Sequence, residues 1–199
     1  MSRKKHIVDA MKRLYSNNLI SMRDGNVSFK PKNKDYFYIS AGSIRKNEIN
    51  EDQVIKVNFR ENNSSYDVIY DIDYKYQPSR EIYIHSLLQT DPNYFDKDSF
   101  IIHAHPPNII SYIGINKSRQ LSSIKNIFPE INVQNIGLNV KYHEPGSFDL
   151  ATNCYENLIH NDIVGMKRHG SLSIGDDIDK LFEDIETLEY YIDIVLKSK

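Results

Sequence analysis

The chain of 199 residues predicts one layered domain, α/β or α+β, built around a single sheet. Three observations lead there. Helical periodicity occupies both ends of the chain, and helical segments also separate the alternating segments between them. No repeat, low-complexity tract or Gly/Ser-rich linker divides the sequence, so residues 1–199 read as a single domain.

Each element has a local reason. Ile7, Val8, Met11, Leu14 and Tyr15 recur at helical spacing and predict an amphipathic helix over 4–17. NVSFKPKNKDYFYIS then reads as two short strands around a polar turn, with clear alternation in YFYIS. NEINEDQVIKVNF and SSYDVIYDID continue the strand signal, joined by a turn at ENNSS. In PSREIYIHSLLQ the Pro78-Ser79 pair precedes a helix, with Ser79 as its expected N-cap.

SFIIHAHP is a strand stopped by two prolines, and PNIISYIGIN starts a helix with proline at its head. NVKYHEP predicts a strand, and SFDLATNCYENLIH a helix capped by Ser147. IVGMKRHGSLSIG reads as a hairpin turning around Arg168 to Gly170. A long last helix follows in DDIDKLFEDIETLEYYIDIVL, with Ile178, Leu181, Phe182, Ile185, Leu188 and Ile192 along one side.

Composition narrows the function classes. A formal net charge of −2 makes no electrostatic case for a nucleic acid or a membrane surface as partner. The amino-terminal MSRKKHIVDAMKRLY is too broken by charge for the apolar core of a signal peptide. No apolar run approaches the roughly 20 residues that span a bilayer. The single cysteine, Cys154, excludes an intrachain disulfide and any zinc site made of several cysteines of this chain. It sits in a periodic segment and reads as a small buried apolar residue. A soluble, intracellular, cytoplasmic setting is expected.

The chemistry concentrates on histidines and one glutamate. In a strand, residues i and i+2 share a face. His103 and His105 therefore point the same way at a strand end, where they can converge on one cation. No carboxylate follows shortly after His105, as a cupin requires, and the chain is short for a β/α-barrel hydrolase. HExxH, P-loop and dinucleotide motifs are missing. A third imidazole is open among His6, His85, His143, His160 and His169. His169 stands out because Gly170 beside it lets a hairpin turn sharply. For proton transfer the candidate is Glu81, placed in the first turn of the helix begun at Ser79, with His85 four residues on and able to pair with it.

The pieces RDGNVSF, ISAGSIRKNEI, QPSREIYIHSLL, IIHAHPPN, YHEPGSFDLA and MKRHGSLSIGDDI, then ETLEYYIDI, follow one another in this order. Together they resemble the class II aldolase/adducin family, in its fuculose-1-phosphate aldolase-like form. The resemblance implies a three-layer α/β/α domain with a central, mainly antiparallel sheet. It makes His103, His105 and His169 ligands of a divalent metal, Zn2+ or another such as Co2+ or Mn2+. It makes Glu81 the acid/base, able to join the metal when no substrate is present. Gly25, Asn26, Gly42, Ser43, Ser79 and Arg80 become the cradle of a substrate phosphate.

The implied activity is that of a metal-dependent aldolase-type lyase on a small ketose phosphate, assembled as a homotetramer. The same family also holds sugar-phosphate dehydratases, 4-epimerases and the non-catalytic adducin head. Three positions depart from the family pattern: Ser43 replaces a customary glycine, Arg80 stands within the usual PSSE, and Arg168 stands where Asn is common. FPEINVQNIG also lacks the tyrosine that the fuculose enzyme lends to a neighbouring subunit.

Overall fold

Alternation along the chain becomes an antiparallel sheet between two helical layers. The structure, a computed structural model, describes residues 2–62, 65–70, 75–94, 96–114 and 119–198. Among them, seven strands form one sheet: β1 (Asn26–Lys30), β2 (Tyr36–Ser40), β3 (Val54–Asn62), β4 (Ser65–Tyr70), β5 (Ser99–Ala104), β6 (Ile163–Met166) and β7 (Gly170–Gly175). Their order is β4-β3-β2-β1-β5-β7-β6, and every named pairing is antiparallel.

Five α-helices are described: α1 (Arg3–Ser16), α2 (Ile82–Gln89), α3 (Pro107–Ile113), α4 (Phe148–Leu158) and α5 (Ile178–Lys197). One cluster of buried apolar residues joins α1, α3 and α5 to the sheet through Met11, Ile109, Leu188, Val27, Phe29 and Ile102. A second cluster joins α2 and α4 to the opposite face through Ile84, Leu88, Leu150, Ile101 and Leu172. Successive residues of β5 alternate between the clusters, as a strand buried on both faces requires. This is the α/β/α layering the resemblance implies.

Local chemistry fixes several helix ends, the expected cap at Ser147 among them. Ser147 accepts a hydrogen bond from Leu150 N at 3.1 Å and caps α4. Asp177 caps α5, whose Leu181, Phe182, Ile185, Leu188 and Ile192 are buried on one side. Gly114 ends α3 with φ at +85°.

Other expectations give way to longer-range contacts. NEINEDQ forms short 3-10 turns at Lys46–Glu48 and Glu51–Gln53, and the strand begins only at Val54. NVKYHEP forms no strand. Together with the residues just before it, it lies along the edge of β6, with parallel bridges only at Ile136 and Val140 among the described residues, and so covers an edge that would otherwise be open. The expected turn at ENNSS includes residues 63 and 64, which lie outside the described residues, as do residues 71–73 of SSYDVIYDID and 115–116 of PNIISYIGIN. No described helix is long and apolar enough to cross a membrane.

Candidate active site

Strand pairing sets the positions of the site. In the β1–β5 ladder Asn26 stands opposite His103, and in the β5–β7 ladder Ala104 stands opposite Ser171. His105 lies one residue past the end of β5, and His169 one residue before β7. Two neighbouring strand ends therefore bring the imidazoles together. His103 and His105 approach Nε2 to Nε2 at 2.8 Å, and one ring nitrogen from each of His103, His105 and His169 lies within 4.8 Å of the others.

Glu81 completes the cluster from the other helical layer. Its Oε2 lies 3.1 Å from His103 Nε2, and its Oε1 lies 3.0 Å from His169 Nε2. Asn26 Nδ2 donates to Oε2 at 3.0 Å. The helix begins later than its sequence suggests: α2 starts at Ile82 and Glu81 occupies the N-cap position, with no capping bond from its carboxylate. Ser79 is not the cap; its hydroxyl accepts from Glu81 N at 3.3 Å and tightens the turn that leads into the helix. The His169 ring and the Asn26 amide hold the carboxylate that local capping would have used.

The donor set fits a cation. His103 Nδ1 lies 2.9 Å from the Ser171 carbonyl, which only accepts, so Nδ1 carries the ring proton. Burial pushes the His103 pKa down, against an opposing pull from Glu81, and keeps the ring neutral. Its Nε2 is then a bare lone pair facing a carboxylate oxygen and a second imidazole nitrogen. Lone pairs gathered in this way repel one another until a cation sits among them. Burial, with His103 and His169 alongside, also lowers His105. For Glu81, burial works to raise the pKa. His103, His169 and the Asn26 amide outweigh it and hold the carboxyl below the usual carboxylate range.

Two glycines are required by close approach. Gly25 has φ at +68°, and a Cβ there would lie 2.5 Å from Ile20 Cγ2 and 3.0 Å from the His103 carbonyl. Gly170 was expected to permit a sharp turn. The left-handed residue of that hairpin is Arg168, with φ at +60°, whereas a Cβ on Gly170 would stand 2.1 Å from the Ala104 carbonyl oxygen. Gly170 is therefore needed to let β7 close on β5, beside the imidazoles.

All ten residues singled out from the sequence line one cleft of about 520 Å³. The same cleft takes in Arg23, Asp24, Lys46 and Pro145, which sequence reasoning missed. Arg23 donates to the Ser43 carbonyl at 2.5 Å. Lys46 is 1% exposed and donates to the Ala41 carbonyl at 2.7 Å; burial lowers its pKa to about 8, with Asp24 opposing. Cations flanking SAGS were visible as RDG and IRK, but nothing local distinguishes them from solvated surface. Arg168 does not enter the cleft lining; its guanidinium lies 4.2 Å from the centre of the Tyr142 ring.

Comparison with known proteins follows the same lines. Residues 5–196 match the model of the Class II Aldolase and Adducin N-terminal domain. An L-fuculose 1-phosphate aldolase superposes with a TM-score of 0.71 at 21% identity, covering 98% of this chain and 85% of that one. A sugar-phosphate aldolase from Thermotoga maritima superposes at 0.74 with 20% identity, covering 98% and 94%. An L-fuculose-1-phosphate aldolase from Thermus thermophilus superposes at 0.72 with 16% identity, covering 98% and 94%. No curated protein matches in sequence. At these identities the superpositions establish a shared fold.

Proposed function

The chain belongs to the class II aldolase and adducin family, and from that premise we propose that it is a divalent-metal-dependent aldolase-type lyase acting on a small ketose phosphate. The observation that carries the reading is the convergence of three imidazoles and one ionised carboxylate at the floor of a cationic cleft. His103, His105 and His169 would hold the metal, Zn2+ first or else Co2+ or Mn2+, with Glu81 able to join them when no substrate is bound. Such a cation supplies a Lewis acid for a substrate carbonyl oxygen.

The remaining chemistry is assigned to side chains and backbone. Gly25, Asn26, Gly42, Ser43, Ser79 and Arg80 hold the phosphate, with Arg23 and Lys46 adding positive charge to the same cleft. In cleavage of a 2-ketose 1-phosphate the C4 hydroxyl gives up its proton to solvent, the C3–C4 bond breaks, the distal carbons leave as an aldehyde, and the bonding pair stays with the three-carbon fragment. Glu81, having taken up an equivalent proton from solvent, delivers it to C3 to complete that fragment as glycerone phosphate, and removes it again in the condensation direction. Its ionised resting state suits removal, and the Asn26 amide and the His169 ring, each 3.0 Å from one of its oxygens, hold it in one orientation. Assembly as a homotetramer is part of the reading; Tyr83 and Phe148, packed edge to face and 51% and 61% exposed, offer apolar surface for it. A catalytically active monomer in sedimentation would remove that part.

The test needs no knowledge of the aldehyde. Glycerone phosphate in D2O, with Zn2+, should exchange its C3 hydrogen only when enzyme is present. Glu81→Gln should lower that rate about 10²–10⁴-fold. His103→Ala should abolish both exchange and Zn2+ binding. Full exchange by metal-stripped protein, or by Glu81→Gln, refutes the assignment; a panel of ketose phosphates followed by aldehyde release then identifies the substrate.

A further inference from the structure

Glu81, His85 and Gln89 stand four residues apart and share one side of α2 and the turn before it. Asn26 and Ser28 stand two apart on one face of β1. All five are buried, and the two polar stripes meet across the interface between helix and sheet. His85 is not among the residues that line the cleft, and its ring meets the cleft-lining Asn26 through Nε2.

Starting from an ionised Glu81, elementary hydrogen-bond chemistry gives every link a direction. A carboxylate only accepts, so the Asn26 group 3.0 Å from Oε2 is the NH2. The Asn26 carbonyl then faces His85 Nε2 at 2.5 Å, so Nε2 carries the ring proton. A neutral ring leaves Nδ1 as an acceptor, and the Ser28 hydroxyl donates to it at 2.7 Å. Having given its hydrogen, Ser28 Oγ accepts from Gln89 Nε2 at 2.9 Å. Four consecutive bonds thus donate in one direction, toward the carboxylate. Complete burial keeps the ring neutral, lowering its pKa to about 3.

We propose that His85, as its Nε2–H tautomer, is a positioning residue that locks the Asn26 carboxamide with its NH2 turned to Glu81. Ser28 and Gln89 fix the tautomer, and the tautomer fixes the amide. Once the lock is removed, the Asn26 side chain is free to turn over and set its carbonyl oxygen against the carboxylate. Glu81 then loses a donor that fixes its orientation, while the imidazole cluster and the cradle residues other than Asn26 keep their own contacts. The catalytic part of this inference rests on Glu81 as the proton-transfer group; the geometric part does not.

The experiment therefore has two arms. In 15N-labelled protein, the ring nitrogens of His85 should report a neutral Nε2–H tautomer from about pH 6 to about pH 8. The Asn26 side-chain N–H should exchange slowly in wild type and fast in His85→Leu. In the kinetic arm, hydrogen exchange of glycerone phosphate with Zn2+ should lose about 10–100-fold in kcat in His85→Leu, with KM within about threefold of wild type. His85→Gln keeps an N–H near the Nε2 position and should recover most of that loss.

A proton on Nδ1, a charged ring, or fast Asn26 exchange in wild type overturns the lock. Equal kcat in wild type and His85→Leu, or equal losses in the Leu and Gln variants, overturns the positioning role. Should His85→Leu fail to fold, Ser28→Ala takes its place and is expected to mix the His85 tautomers and slow kcat. Should wild type leave glycerone phosphate unexchanged, the functional reading fails by itself, and the ring tautomer and the Asn26 amide still decide the lock.

Discussion

Replacing Gly170 by Ala puts a single methyl group where the site is most tightly closed. Its Cβ would lie 2.1 Å from the Ala104 carbonyl oxygen, 3.1 Å from the Ala104 carbonyl carbon and 3.1 Å from His105 Cδ2. Even a weak C–H···O contact keeps its carbon about 3.3 Å from the oxygen, so one strand must move by about 1 Å. The oxygen belongs to the backbone of β5, which is held by β1 on its other side, so no side-chain rotation relieves the clash. Overpacking costs about 1–3 kcal/mol, and loosening the ladder at Ala104–Ser171 adds about 1 kcal/mol. The expected loss is about 2–4 kcal/mol, which for a domain of this size lowers Tm by roughly 5–15 °C.

The same displacement reaches the chemistry. Ser171, whose carbonyl holds His103 Nδ1, follows Gly170, and His169 precedes it. A shift of about 1 Å among such groups costs about 100-fold in rate. Denaturant unfolding and Zn2+ titration by calorimetry together measure the effect. Gly175→Ala, in the same strand, is the control: its Cβ would meet only Leu181 Cδ2 at 3.1 Å, the end of a flexible side chain, and should cost less than about 1 kcal/mol. The reasoning fails if Gly170→Ala matches wild type in unfolding midpoint and Zn2+ affinity, or if the control is the more damaging of the two.

Two further predictions concern residues that depart from the expected family pattern. Ser43 and Arg168, which stand where the family pattern has other residues, both have positive φ, at +57° and +60°. A left-handed conformation costs an ordinary residue about 1–2 kcal/mol, and glycine returns about 0.5–1 kcal/mol of that through its freer unfolded chain. Ser43→Gly should therefore stabilise by about 0.5–1 kcal/mol in urea unfolding. Arg168→Asn should come out near zero, since relief of strain is offset by loss of the Tyr142 contact. Lys46 gives a pH signature: its folded pKa of about 8 lies below the unfolded 10.5, so the unfolded chain binds the extra proton between those values. Wild-type stability should rise relative to Lys46→Met as pH climbs through that window, by at most about 3 kcal/mol. A difference that stays flat or falls across the window contradicts the burial argument.

How far the site was legible follows from where its information lies. His103 and His105 could be read because two residues of one strand suffice to predict their common direction, and Ser147 could be read because a cap is local. Ser79 misled for the same reason. Its capping pattern is sound locally, but the Glu81 carboxylate faces the imidazole cluster and the Asn26 amide instead, and α2 begins only at Ile82. NVKYHEP alternates like a strand, yet its backbone hydrogen bonds go only intermittently to β6, as from Val140 N to the Gly165 carbonyl at 2.8 Å. Asn26 and Ser28 in β1, and His85 and Gln89 in α2, each look like the polar side of an amphipathic element facing water. Only the pairing of β1 with β5, and the docking of α2 over them, turns two apparent solvent faces toward each other.

That docking also accounts for the difference between the two faces of the sheet. Over α1, α3 and α5 the cover is apolar, and almost any well-packed set of side chains would serve there. Over α2 the apolar cluster stops at Ile101 and Leu172, and the next positions toward the cleft are His103 and Asn26. An unpaired polar group buried at that boundary costs about 1–3 kcal/mol, so the bonds among Ser28, His85 and Asn26 are favoured there, and each partner limits the orientation of the next. Stability and orientation therefore impose the same requirement. The bonds that make it tolerable to bury Ser28, His85 and Asn26 also leave the Glu81 carboxylate with a single direction to face. The groups of the candidate site stand at strand ends and a helix start that the core already holds in place, beneath a cleft ringed by Arg23, Ser43 and Arg80.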